Sequence, residues 1–403
     1  MRIIHTADWH LGQTFYSYER SKEHTLFFDW LCTTIKERKT DVLLIAGDVF
    51  DTHNPSAEAQ RMYYHFLKRV TEENEGLQII VTAGNHDSAA RIEAPSPLLN
   101  VFNIHVSGVV HYKDGEIDYE SMIVPLADNG CCLAVPYLRY SDLPPADSYS
   151  EGVAKMYSNL YQVASSKGYS PVIAMGHLQA SGAKISTGDT SEHLIIGGME
   201  GIDTGFSDTG ITYTALGHLH KAQCVSHKKN VRYSGSPLPM SFAELNNRQS
   251  VTEVIIDDTG IIEKIEKIEF DTPARLLSIP EKPEAIDVVL QEISKLTDGD
   301  ADDFAPYLEI KVLVTVVDPT IRQRIEEALA GKYVRLANIS ATSNILRDEG
   351  ECKPMTYDEF KKADPIELIK EIYKRGERKT MPEHLEHLLT EVINEVKNEN
   401  LSN

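Results

Sequence analysis

Five short stretches of this chain carry metal-ligating side chains. Each directly follows an apolar run of a length that suits a buried strand. They are Asp8-Trp9-His10 after 2–7, Gly47-Asp48 with Asp51 after 42–46, Gly84-Asn85-His86-Asp87 after 77–83, Gly176-His177 after 171–175, and Gly217-His218-Leu219-His220 after 211–216. Any one of them would suit an ordinary turn. All five in order constrain the fold strongly, because an α/β protein collects residues from distant parts of its chain at the ends of its strands. The set offers two Asp, one Asn and four His, with His86 beside the Asn, enough for two metal ions that share one carboxylate.

The donor types narrow the chemistry. Asp8 and His10 lie two apart, so an extended chain would present both on one face and Trp9 on the other, and His218 and His220 repeat the spacing. Gly47 lets the backbone pass close to an ion ahead of Asp48. Asn85 offers a neutral oxygen, which keeps the site from becoming too negative for an anionic substrate. Oxygen and imidazole donors without thiolate suit Mn²⁺, Fe²⁺ or Mg²⁺ better than structural Zn²⁺, and imidazole favours Mn²⁺ over Mg²⁺. These residues point to a two-metal phosphoesterase.

The ordered set resembles the calcineurin-like metallophosphoesterase superfamily. Asp8-Trp9-His10-Leu11-Gly12, Gly47-Asp48-Val49-Phe50-Asp51-Thr52 and the run 231–242 resemble its SbcD group, the nuclease subunits that act with the ATPase SbcC. The resemblance is dense to about residue 242 and one of layout beyond. It implies an ion held by Asp8, His10, Asp48 and His220 and a second held by Asp48, Asn85, His177 and His218. It also implies an activated hydroxide attacking the phosphodiester, His86 as the acid for the leaving sugar oxygen, and Asp87 or a backbone carbonyl orienting His86. The implied activity is duplex-end exonuclease and single-strand or hairpin endonuclease, in DNA repair, replication and recombination. A phosphatase or cyclic-nucleotide phosphodiesterase on the same metal core is the alternative.

Along the chain, 23–39, 57–71 and 150–166 read as helices, and a late hairpin turns at Asp258-Thr259-Gly260. The expected fold is α/β: a four-layer core of two packed mixed sheets flanked by helices, then a small α+β cap and C-terminal helices. The corresponding divisions are 1–270 for the nuclease domain, 271–345 for the capping domain and 355–403 for a helical partner-docking segment. In that last segment Leu385, Leu388, Leu389, Val392 and Val396 form an apolar stripe, which the resemblance assigns to SbcC. The resemblance implies a homodimer contact through Met62, Tyr63, Phe66, Leu98, Leu99 and Phe102, within a heterotetramer, although the same residues would equally suit ordinary core packing. No Gly-x4-Gly-Lys-Ser/Thr is present, so ATP coupling would come from the partner.

Net charge is −21, from 61 acidic against 40 basic residues, so this subunit alone should hold a DNA polyanion weakly. Five cysteines without Cys-x-x-Cys spacing read as reduced thiols, and no apolar run reaches a membrane-spanning length. The expected location is the cytoplasm. Among other histidines, His5 reads as a sheet residue and His53 as a loop residue. His384 and His387 fall on a solvated helix face. Asp51 reads as a neighbour of the ligands and not one of them.

Overall fold

The computed structural model describes residues 1–184, 201–314 and 318–343, and residues 370, 373, 382, 385, 386 and 389 of the tail. By compactness the chain divides into two units, Met1–Asn344 and Ile345–Asn403.

Two six-stranded sheets form the heart of the first unit. One runs in the order Ile262–Glu269, Ser250–Ile256, Arg2–Thr6, Val42–Ala46, Gln78–Thr82, Ile104–Ser107. Its last four strands are parallel, with Ile3 opposite Val42 and Leu43 opposite Ile79, and the late hairpin adds two antiparallel strands at one edge. The other runs Gln223–Val225, Lys228–Tyr233, Tyr213–Gly217, Val172–His177, Cys131–Ala134, Ile123–Pro125, again parallel in the middle and antiparallel at its edges.

Strand alternation divides the apolar residues into three layers of contact. Ile3, Val42, Leu44 and Ile80 face the second sheet's Cys132, Ile173, Met175 and Tyr213 in the central core. Their neighbours Ile4, Leu43, Ile45, Ile79 and Val81 face outward onto Phe27, Leu31 and Ile35 of helix Ser21–Arg38, and Tyr63, Phe66 and Val70 of helix Ala57–Glu73. On the far side Cys131, Leu133 and Ala174 pack on Val153, Met156, Tyr157 and Leu160 of helix Tyr149–Ser166. The result is helix, sheet, sheet, helix. Cys131 and Cys132 point to opposite faces, and the described cysteines are free thiols.

Trp9 sits at the centre of the first outer layer. It is fully buried, with Phe28 at 5.0 Å and Phe66 at 5.3 Å between ring centroids, and its indole N–H donates to Thr6 Oγ1 at 2.9 Å. Tyr63 and Phe66, expected at a dimer contact, belong to this same core, so that part of the expectation is corrected. The apolar stripe of this helix serves internal packing. Leu98 and Phe102 do lie at the surface, 72% and 62% exposed, while Leu99 packs partly on the core.

A third sheet, Leu276–Glu284, Tyr307–Val314 and Arg335–Ser343, is all parallel and carries helices Ile286–Ser294 and Ile321–Leu329 on its apolar face. It belongs to the same compact unit as the core. Phe15, Ala274 and Tyr307 bury each other at the junction, where Tyr307 donates to Glu23 at 2.5 Å and Glu23 pairs with Arg20 at 3.1 Å. Of the tail, Leu385 N–H and Glu386 N–H donate to the Pro382 carbonyl, and Lys370 pairs with Glu386. The remainder of the expected apolar stripe, with His384 and His387, lies outside the described residues. Among the described residues no helix is long and apolar enough to cross a membrane.

Truncating Trp9 removes the floor beneath Asp8 and His10. Trp9→Ala should cost about 3–5 kcal/mol in a urea unfolding titration; a loss below about 1 kcal/mol would contradict the packing described.

Candidate metal centre

The strands that carry the five motifs end at one edge of the two-sheet core. The first strand stops at Thr6, and the chain then runs beside the loop that follows Val42–Ala46. Asp8 N–H donates to Gly47 O, His10 N–H to Asp48 O, and Leu11 N–H to Val49 O, all at 2.9–3.0 Å. Asp87 fastens the third loop to the second. Its buried carboxylate accepts from Val49 N at 3.2 Å, Phe50 N at 2.9 Å and Gly84 N at 2.8 Å. Asp48 Oδ1 accepts from His86 N, a second tie between those two loops, and Asp8 Oδ1 from His218 N, which ties in the fifth loop, both at 2.8 Å.

The expected extended geometry of Asp8 and His10 is corrected here. Their φ angles are 55° and 47°, and Asp48 (49°) and His218 (104°) also lie in the left-handed half of the map. The chain coils after the first, second and fifth of these strands instead of continuing them, while His177 stays within its strand. Trp9 nonetheless goes inward and its two neighbours outward. Two glycines make room: a side chain at Gly47 would collide with the His177 ring, and one at Gly84 with the Asp48 carboxylate.

All seven expected ligands converge. His177 Nδ1 donates to Ala46 O at 3.0 Å, which turns Nε2 to within 3.2 Å of Asp48 Oδ2 and 3.0 Å of Asn85 Oδ1. His218 Nδ1 lies 3.0 Å from the same Asn85 oxygen. His10 Nε2 is 3.7 Å from Asp48 Oδ2, and its Nδ1 is 3.3 Å from Asp51 Oδ1. The His220 ring stands at right angles to that of His10, centroids 5.1 Å apart. Donor atoms of Asp8, His10 and His220 lie within 4.8 Å of one another, as do those of Asp8, Asp48 and His177, and those of His10, Asp51 and His86. The donor set fits cations. Asp8 Oδ2 and His10 Nε2 are buried without a hydrogen-bond partner, and an oxygen–imidazole mixture suits divalent first-row metals.

The two expected partners for His86 are now distinguished. Its Nδ1 donates to the Asp51 carbonyl at 2.9 Å, whereas the Asp87 carboxylate is committed to three backbone N–H groups. Asp87 clamps the two loops, and the Asp51 carbonyl holds the His86 ring. His5 is a sheet residue bonded to the Tyr213 hydroxyl, and His53 lies exposed in a loop, as expected. Sequence reading missed His24, whose Nε2 is 2.8 Å from the Trp9 carbonyl and secures the first ligand loop from helix Ser21–Arg38. It stands alone in a helix with no motif around it.

The calcineurin-like phosphoesterase family matches residues 1–222, and the type 5 capsule protein repressor C-terminal domain matches 273–376. A Rhodobacter capsulatus protein, named as the SbcD subunit of the SbcCD nuclease, is 34% identical over 359 residues, 85% of this chain and 87% of that protein. The chain belongs to the SbcD family of nuclease subunits. Members with the same name in Escherichia coli K12 and Bacillus subtilis are each 33% identical, over 66% and 63% of this chain and 68% and 66% of theirs.

In this family member the cluster stores protons. Burial pushes the Asp8 carboxyl up to about 7, partly offset by His177. Burial would lower His177, but the Asp48 and then the Asp8 charge outweigh it and lift it to about 9. Burial would raise Asp48, yet His177 and then His10 hold it well below the usual carboxylate range. Burial depresses His218 to about 3 and His220 well below its ordinary value, leaving both rings neutral and ready to coordinate. A divalent cation requires Asp8 and His177 deprotonated, and both hold protons below those values. Divalent-cation affinity should therefore rise through about pH 7 and on to about pH 9, with proton release on binding. Calorimetry in buffers of different ionisation enthalpy reads that release directly; its absence at about pH 6 would contradict the charge distribution.

Proposed function

We propose that this chain is a metal-dependent DNA nuclease subunit that works with the ATPase SbcC. The observation that carries the reading is the convergence of seven oxygen and imidazole donors with His86 at one sheet edge. Identity of 34% to an SbcD subunit across most of the chain supports it. Asp8, His10, Asp48 and His220 would hold one ion, and Asp48, Asn85, His177 and His218 the other. We favour Mn²⁺, because imidazole nitrogens are poor partners for Mg²⁺, with Fe²⁺ the next choice. Ions held there would supply Lewis acidity toward phosphate oxygens and lower the pKa of bound water toward about 7.

The chain's own groups do the rest. Asp48 faces both halves of the donor set. Asn85 adds an oxygen without a charge, which spares an incoming phosphodiester further repulsion. His86, as imidazolium, gives a proton to the leaving sugar oxygen and keeps its Nδ1–H on the Asp51 carbonyl. Asp51 serves two neighbours, since its carboxylate also lies against His10 Nδ1.

On this reading, residues 1–270 form the nuclease domain, 271–345 a cap and 355–403 the segment that docks on SbcC. Exposed Leu98, Val101 and Phe102 supply the homodimer contact within a heterotetramer. The parallel sheet 276–343, fixed to the core through Phe15, Tyr307 and Glu23, is what a DNA substrate needs and a small-molecule esterase does not. Action on chromosomal DNA in repair, replication and recombination places the complex in the cytoplasm.

Purified protein with Mn²⁺ should cleave end-labelled duplex DNA, and faster with SbcC and ATP. His86→Ala should bind Mn²⁺ as the parent does and cleave about 10²–10⁴-fold more slowly. Cleavage at the parent rate would refute the role of His86. Hydrolysis of a small phosphodiester with every DNA left intact would move the protein to the phosphatase and cyclic-nucleotide class.

A further inference from the structure

A chain of net charge −21 must hold a DNA backbone locally if it is to act on one. Charge is balanced in the groove between the two outer helices, where Arg61, Lys68 and Arg69 meet Asp29, Glu58 and Glu72. The cavity beside Asn85 sets Arg139 against Asp142 and the clamped Asp87. The cavity beside His220 differs. It measures about 310 Å³ and brings Lys221, Arg248 and Lys267 together against Glu269 alone.

Lys267 is held in place, and Arg248 is weakly neutralised. Lys267 Nζ donates to the Ala222 carbonyl at 2.8 Å, two residues beyond His220. Arg248 reaches Glu269 only at 3.5 Å, with both side chains more than half exposed, so water screens the pair. Burial, and then the Arg232 charge, hold the Lys267 ammonium below its ordinary value. Two uncharged groups on the same wall, Asn247 Nδ2 and Ser250 Oγ, are buried without a hydrogen-bond partner. The charged groups that line the cavity are three cations against one carboxylate, a balance that suits an anionic ligand. His220 lies in the cavity wall, which puts such a ligand next to the metal centre.

We propose that this cavity binds the backbone phosphates flanking the scissile bond, with Arg248 and Lys267 as the charged contacts. The inference rests on the nuclease reading above. It assigns the cavity no part in cleaving the bond itself, and it makes the grip on DNA depend on salt.

The test uses full-length protein with Mn²⁺, labelled duplex DNA over a range of salt concentrations, and bis(4-nitrophenyl) phosphate as a substrate too small to reach the cavity. Arg248→Ala combined with Lys267→Ala should raise KM for the duplex about tenfold and flatten the salt slope by about two, at roughly 0.9 per phosphate contact. The ratio of DNA cleavage to small-diester hydrolysis should fall in step. Arg248→Lys with Lys267→Arg should restore both. Unchanged KM and salt slope in the alanine pair would overturn the proposal, as would an equal loss on both substrates. If the parent protein hydrolyses the small diester but no DNA, the nuclease reading itself fails and takes this proposal with it.

Discussion

The site depends on backbone hydrogen bonds between loops that the sequence places far apart. Asp87 takes three N–H groups from two loops into one buried carboxylate, and the 8–11 segment lies in register against 47–49. Ionic or dipolar acceptance of several backbone N–H groups is among the stronger interactions available in an interior. Once that mesh is closed, Asp8, Asp48 and Asn85 have little freedom left. Donor geometry within a fraction of an ångström is what a metal site needs, and packing alone seldom gives it.

The mesh also carries strain. Asp8, His10, Asp48 and His218 hold positive φ angles, a conformation that costs on the order of 1–3 kcal/mol each in a residue with a side chain. The layers beneath offset it, with Trp9 in its aromatic nest on one side and the central sheet-to-sheet core on the other. Strain and orphaned donors coincide at the same residues, notably Asp8 and His10. The fold thus holds apart like-charged and hydrogen-bond-hungry groups that would otherwise collapse or find water.

Much of this was legible in the sequence. Short apolar runs each followed by Asp, Asn or His located the strands, their order and their shared edge, because buried parallel strands are near-continuous in hydrophobicity. The three core helices and the late hairpin followed from periodicity. What was not legible is tertiary. Nothing local distinguishes Asp87 as a backbone clamp from Asp87 as the partner of His86, since both roles lie within reach of the same short loop. Tyr63 and Phe66 carry a helix stripe that serves a core and an interface equally well. The left-handed backbone at Asp8 and His10 has no glycine to announce it. Lys267 and Arg248 are unremarkable alone and become informative only when the fold sets them beside His220.

The most direct measurement is anomalous diffraction from crystals of the protein grown with Mn²⁺. Two peaks are predicted, about 3.5–4 Å apart, one beside Asp8, His10 and His220, the other beside Asn85, His177 and His218, with Asp48 between them. A single peak, or ions bound away from these residues, would contradict the two-metal centre on which the proposed chemistry stands.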